Sequence, residues 1–154
     1  MKTSNLFIVF ILLFPTAKIS AQDYTSSDVE ISDLKGATLN LGCLLNENSK
    51  APKLFLFWDT NDPHAYDEIS DFLQSFNDST QNISTKVISI ILNDNVNSTT
   101  AFKSGHEMAM EIFMDKNGSV KRKFGIWKGS LAIAFNGDGK QLWKFLIPCS
   151  PLRH

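Results

Sequence analysis

The sequence is short of the residues that most often announce a chemistry. It has two cysteines, Cys43 and Cys149, more than a hundred positions apart. That spacing excludes a C-x-x-C redox motif and a zinc-ligand cluster. Basic residues are not in excess: 15 Lys and Arg face 16 Asp and Glu, for a formal net charge of −1. Without a basic stripe, nucleic-acid binding has no electrostatic support. No segment after the first two dozen residues is apolar for long enough to cross a bilayer as a helix, and internal repeats and low-complexity tracts are missing. A nucleic-acid binder, a membrane-spanning protein and a zinc module are therefore all disfavoured.

What is present begins with an export signal. Lys2 supplies a positive end, Leu6 to Phe14 an apolar run of nine residues, and Ile19-Ser20-Ala21 a cleavage site before Gln22. The run is too short for a stable membrane span, and no cysteine at the cleavage site invites lipid attachment. Removal of residues 1–21 takes away Lys2 and Lys18 and no acid, which leaves 13 basic against 16 acidic residues, a charge of −3. The expected product is periplasmic or secreted, with a flexible lead-in over 22–30 and a single domain over 31–154. In an oxidising compartment Cys43 and Cys149 are an even pair. A disulfide between them would close a long loop and add about 2–4 kcal/mol; two free thiols are the alternative.

Along the domain, Ile31 to Leu41 with the turn Lys35-Gly36 reads as a short hairpin, followed by a polar loop over Asn46 to Pro52. Leu54 to Trp58 is a continuous apolar run of the kind found in strands buried on both faces. Pro63 to Phe76 reads as a helix, because Tyr66, Ile69, Phe72, Leu73 and Phe76 recur at spacings of three and four. Asp67 and Glu68 are acids in its opening turns, Asn61 or Asp62 its cap, and Pro63 a tolerated first residue. Val87 to Leu92 is a second buried strand, and Asn95 to Gly105 a short helix or helix-containing loop. Met110 to Met114 is a strand ended by the turn Asp115-Lys116-Asn117-Gly118, and Ser119 to Phe124 a helix stopped by Gly125. Leu131 to Phe135 and Gln141 to Ile147 form a hairpin about Asn136-Gly137-Asp138-Gly139. This order gives an α/β domain whose central mixed sheet of about five strands is flanked by helices and extended at its N-terminus by a strand or hairpin.

Three segments in this order carry a family resemblance: Phe57-Trp58-Asp59-Thr60 at a strand end, Phe124-Gly125-Ile126 before an apolar strand, and Asn136-Gly137-Asp138-Gly139-Lys140. The chain resembles the TlpA-like and redoxin (AhpC/TSA-type) group of secreted thioredoxin-like thiol–disulfide oxidoreductases, over roughly Ile31 to Leu146. The resemblance implies a thioredoxin-like fold. It also implies an active site that this sequence does not supply. With one residue deleted after Thr60, Asn61 and His64 occupy the two cysteine positions of the family motif, and Pro63 keeps its proline. Without a gap, Asp62 and Ala65 occupy them. Ser130 falls where the family has a cis-proline, and a trans bond is expected there because a non-proline cis bond costs about 2.5–4 kcal/mol. The vestigial positions are thus Asn61, Asp62, Pro63, His64 and Ser130, none of them able to attack a disulfide.

Other constellations are weaker. His64 lies between Asp62 and Asp67 as a candidate base or ligand, but no nucleophile or second ligand is visible beside it. His106, Met108 and Met110 offer soft donors suited to Cu(I); against that, Met110, Ile112 and Met114 alternate as core residues do. Trp58, Trp127 and Trp143 are candidates for a groove, with ordinary packing as the alternative: Trp58 at its strand end reads as core, and Trp127 lies in a turn where it would be partly exposed. Asn77, Asn82, Asn97 and Asn117 each begin an Asn-x-Ser/Thr triplet. The expectation is an exported, redox-degenerate thioredoxin-like module that needs no cofactor and binds another exported protein or peptide. The alternatives are a thiol–disulfide oxidoreductase using Cys43 and Cys149, and a copper-binding protein.

Overall fold

The structure, a computed structural model, describes residues 29–46, 50–79, 85–93, 95–105 and 110–147. The expected leader 1–21, and with it His106, Met108, Asn82 and Cys149, lie outside the described residues.

Seven strands form one sheet. In chain order the elements are β1 (Glu30–Asp33), β2 (Thr38–Asn40), α1 (Leu41–Leu45), β3 (Lys53–Trp58), α2 (Ala65–Ser79), β4 (Lys86–Ile91), α3 (Val96–Gly105), β5 (Glu111–Met114), α4 (Ser119–Phe124), β6 (Ser130–Phe135) and β7 (Gln141–Ile147). The sheet order is β2-β1-β5-β4-β3-β6-β7. β3, β4 and β5 are mutually parallel, while β6 and β7 on one side and β1 and β2 on the other run antiparallel. The expected five-strand core and its N-terminal hairpin are therefore joined edge to edge through the β1–β5 pair.

β3 sits at the centre with every residue buried, and its alternation divides the core. Phe55 and Phe57 point to a layer closed by α1 and α4, with Phe57 4.8 Å from Phe124 and Phe55 5.4 Å from Phe135. Leu54, Leu56 and Trp58 point to the opposite layer, closed mainly by Ala65 and Ile69 of α2. A strand covered on both faces gains from an apolar residue at every position, which is why β3, β4 and β6 read as unbroken runs. β7 alternates instead. Trp143 and Phe145 face α2, while Leu142 (54% exposed) and Leu146 (65% exposed) face outward with Lys144. Lys144 reaches over that face to donate to the Phe124 carbonyl at the end of α4 (3.0 Å).

Three local expectations need correction. Residues Leu41 to Leu45 are a helix, not the end of a hairpin strand running into a loop. The Asn40 side chain accepts from the Gly42 N–H and nucleates this turn, so Cys43 lies on α1. α2 begins at Ala65, two residues later than Pro63, because the chain first makes a turn in which Asp62 Oδ1 accepts the His64 N–H (3.0 Å). β1 begins at Glu30, inside the expected lead-in.

Among the described residues one lysine, Lys53, is fully buried. Lys53 opens β3 and donates from Nζ to the Leu45 carbonyl (3.1 Å), placing its charge at the C-terminus of α1. The β6–β7 turn closes against the same end of the sheet. A Cβ at Gly137 would overlap the Lys50 carbonyl and come within 2.9 Å of the Lys50 Cα, so only glycine fits there.

Candidate functional site

Asn61, Asp62, Pro63, His64 and Ser130, the positions aligned with the family's active site, gather at one end of the sheet, where β3 stops, α2 starts and β6 begins. Trp58, the last residue of β3, is buried and donates its indole N–H to Ser89 (2.7 Å), which explains a hydroxyl within the otherwise apolar β4. Beyond it the backbone is held by side chains. Asp59 Oδ1 accepts from the Asn61 N–H (2.9 Å) and from Asn93 Nδ2 (2.8 Å), and Thr60 Oγ1 accepts from the same Asn93 amide (2.8 Å). Lys121 of α4 approaches Asp59 Oδ2 at 3.7 Å, a partly exposed pair of little energetic weight. Asn93, just after β4, thus ties the β3 loop in place; it was not singled out from the sequence, since a lone asparagine after a strand carries no distinctive signal.

Asn61, Pro63 and His64 are exposed and Asp62 is half-buried. Ala65, the ungapped counterpart of the second cysteine, is buried as the first residue of α2. Ser130 is buried at the start of β6, and no cis peptide occurs among the described residues. The loop before it carries Trp127, which is 79% exposed, so its large apolar surface stands in water at this end. The other two tryptophans do not join it in a groove: Trp58 is core and Trp143 packs 6.5 Å from Phe76 over α2.

Two further residues matter here. Asp115, expected only as a turn residue, is buried and caps α4: its two oxygens accept from the Val120 N–H (3.1 Å), the Lys121 N–H (3.0 Å) and the Ser119 hydroxyl (3.2 Å). Gly118 at the formal cap position has no side chain to do this. Glu68, expected as an acid in the opening turns of the helix, is 5% exposed, and neither carboxylate oxygen meets a hydrogen-bond donor. The signal was present in the spacing, since Glu68 falls three residues after Ala65 and four before Phe72, on the inward face of α2. An unserved buried carboxylate works against folding. Glu68→Met is therefore expected to stabilise the protein by about 1–2 kcal/mol, a rise in melting temperature of roughly 3–8 °C by calorimetry.

The remaining candidates are dispersed. Cys43 is an exposed free thiol on α1, and its expected partner Cys149 lies outside the described residues. Met110 is half-buried against the α2-side core, while His106 and Met108 are outside the described residues; among those described, no three His, Cys, Asp or Glu side chains form a metal-binding group. No described helix is long and apolar enough to cross a membrane.

A mixed sheet with β3 at its centre, α2 leading away from its C-terminal end and an antiparallel β6 that starts beside that same end is the thioredoxin-like arrangement. Residues 17–140 match the model of the AhpC/TSA family, and the chain belongs to that family. Among solved structures it is similar to a thioredoxin-like protein from Porphyromonas gingivalis, at 18% identity and a TM-score of 0.66 over 79% of this chain and 80% of that one. It is similar also to a secreted Mycobacterium tuberculosis disulfide oxidoreductase homologous to Escherichia coli DsbE, at 17% identity and a TM-score of 0.59 over 80% and 86%. StoA from Bacillus subtilis is a third, at 18% identity and a TM-score of 0.56 over 80% and 92%. No curated protein matches the chain.

Proposed function

We propose that this member of the AhpC/TSA family is exported and acts as a redox-degenerate binding module, holding an extended peptide or protein segment at the end of the sheet formed by the β3–α2 turn and the Trp127 loop. One observation carries the reading: that end displays Asn61, Asp62, Pro63 and His64 without a thiol, next to a tryptophan 79% exposed. An exposed indole is a costly surface in a solitary protein and a frequent anchor in a complex. Export is supported by the apolar run Leu6 to Phe14 with its cleavage site, and by the description of one structural neighbour as secreted.

Two measurements test it. The purified protein should show no turnover in a disulfide-reduction assay; turnover would sink the reading. Trp127→Ala should weaken binding of a captured peptide by at least about tenfold, the loss typical of an aromatic anchor, while leaving the melting temperature within about 2 °C.

A second reading is favoured by the exposed thiol of Cys43 and by neighbours described as disulfide oxidoreductases. In it, Cys43 and Cys149 carry out thiol–disulfide exchange. Cys43→Ser would then abolish any reductase activity; activity that survives the change removes this reading.

A further inference from the structure

Among the described residues, the buried side-chain groups without a hydrogen-bond partner belong to Glu68, Thr99, Ser130 and Gln141. The topology brings two of them toward one end of the same layer. α2 lies along β7, with Phe76 6.5 Å from Trp143 and Phe72 6.1 Å from Phe145. One turn further toward the start of α2 comes Glu68, and two residues further along β7 comes Ile147, on the same face of the sheet as Phe145. Ile147 is paired with Ser130. Ser130 in turn shares its face with Ala132, which belongs to the α2-side core. A carboxylate and a hydroxyl, 5% and 1% exposed, thus occupy the same end of the same layer, and neither is answered by the protein.

Leaving such groups unserved opposes folding, and their placement at the end of the sheet where β6 starts, three residues after Trp127, calls for a ligand that serves both. A carboxylate only accepts, and a serine hydroxyl can accept as well, so the complement is a group with several donors. A cationic donor serves the carboxylate form most fully. A neutral donor would leave the charge uncompensated, an anion would be repelled, and a hard metal ion would need more oxygen ligands than this pair provides. Asp59, Asp62 and Asp67 flank the site with the same sign of charge; Lys121, paired to Asp59, and Lys128, beside Trp127, offset it in part.

We propose that Glu68 and Ser130 form a recognition pocket for an alkylammonium or alkylguanidinium group, the tip of a lysine or arginine side chain on a segment bound at the Trp127 loop. This rests on the binding-module reading above and names what that module would recognise. A long aliphatic stem would carry the charge of lysine or arginine to a covered pair, and the exposed indole of Trp127, three residues before Ser130, offers a surface for stem and charge. Because both groups are covered in the free protein, binding proceeds with a side-chain adjustment at Glu68 that opens the pair to solvent beside the exposed first turn of α2, where His64 and Asp67 lie.

The test is amide chemical-shift mapping on the purified full chain, titrated with butylguanidinium, butylammonium and, as a neutral control, butanol. Single-lysine and single-norleucine versions of a Gly/Ser-based peptide follow. The two cations should give saturable shifts at Glu68, Ile69, Ser130 and Leu131, and butanol none. Glu68→Gln should weaken cation binding at least tenfold and Ser130→Ala about threefold, with melting curves confirming that both variants fold. Equal shifts in Glu68→Gln, or shifts confined to the partly exposed Asp59 and the exposed Asp67, would overturn the pocket. A lysine peptide whose Trp127-dependent binding is untouched by Glu68→Gln would also overturn it, yet leave the binding-module reading standing. Butylammonium binding at Glu68 without peptide binding would support the pocket with a free amine as its occupant, and would remove the peptide-binding reading instead.

Discussion

Phe57→Ala is expected to destabilise the protein by about 3–5 kcal/mol, a large share of the stability of a domain this size. Phe57 is fully buried, lies 4.8 Å from Phe124 and 6.2 Å from Phe55, and sits between β4 and β6 on the central strand. No neighbour can collapse into the space it would leave, because β3 is pinned on both sides by ladder pairs. The consequence reaches the candidate site, since Trp58 and the Asp59–Asn93 network follow directly in the chain. Urea titration should show a lower midpoint at unchanged slope if the fold survives. A loss below about 1 kcal/mol would mean that the α1/α4 layer is far looser than its packing suggests.

Asp115→Ala is the second large effect, about 2–4 kcal/mol. Its carboxylate answers two N–H groups of α4 that have no other partner in a helix of six residues, and the Val120 end of that helix is buried. Alanine would leave those donors without an acceptor. Asp115→Asn keeps one oxygen in place and should lose roughly half as much. Because α4 runs through Gly125 and Ile126 into Trp127, Asp115→Ala should also loosen the Trp127 loop, which amide hydrogen exchange over 119–130 would register as faster exchange than at β3. Uniform protection across both regions would show that the cap does not position the loop.

The differences between sequence expectation and structure have particular causes. β3, β4, β6 and α2 were legible because burial on two faces, or on one helical face, imposes a composition or a period that any chain must obey. The short helix α1 was hidden: five residues give less than two turns of pattern, and its start depends on one Asn40 side chain. The shift of α2 from Pro63 to Ala65 turned on whether Asp62 caps a helix or closes a turn, and both uses suit the same residue.

By itself the sequence determined the layered mixed sheet, the family resemblance and the lack of a C-x-x-C, since all three reside in residue identity and spacing along the chain. Only the tertiary structure decided that Glu68 is buried without a donor, that Ser130 lies in the same layer, that Asp115 holds α4, and that Trp127 alone of the three tryptophans stands in water. Those facts depend on which surfaces of distant segments close over one another, and a linear pattern records how often a residue faces inward, not what it meets there.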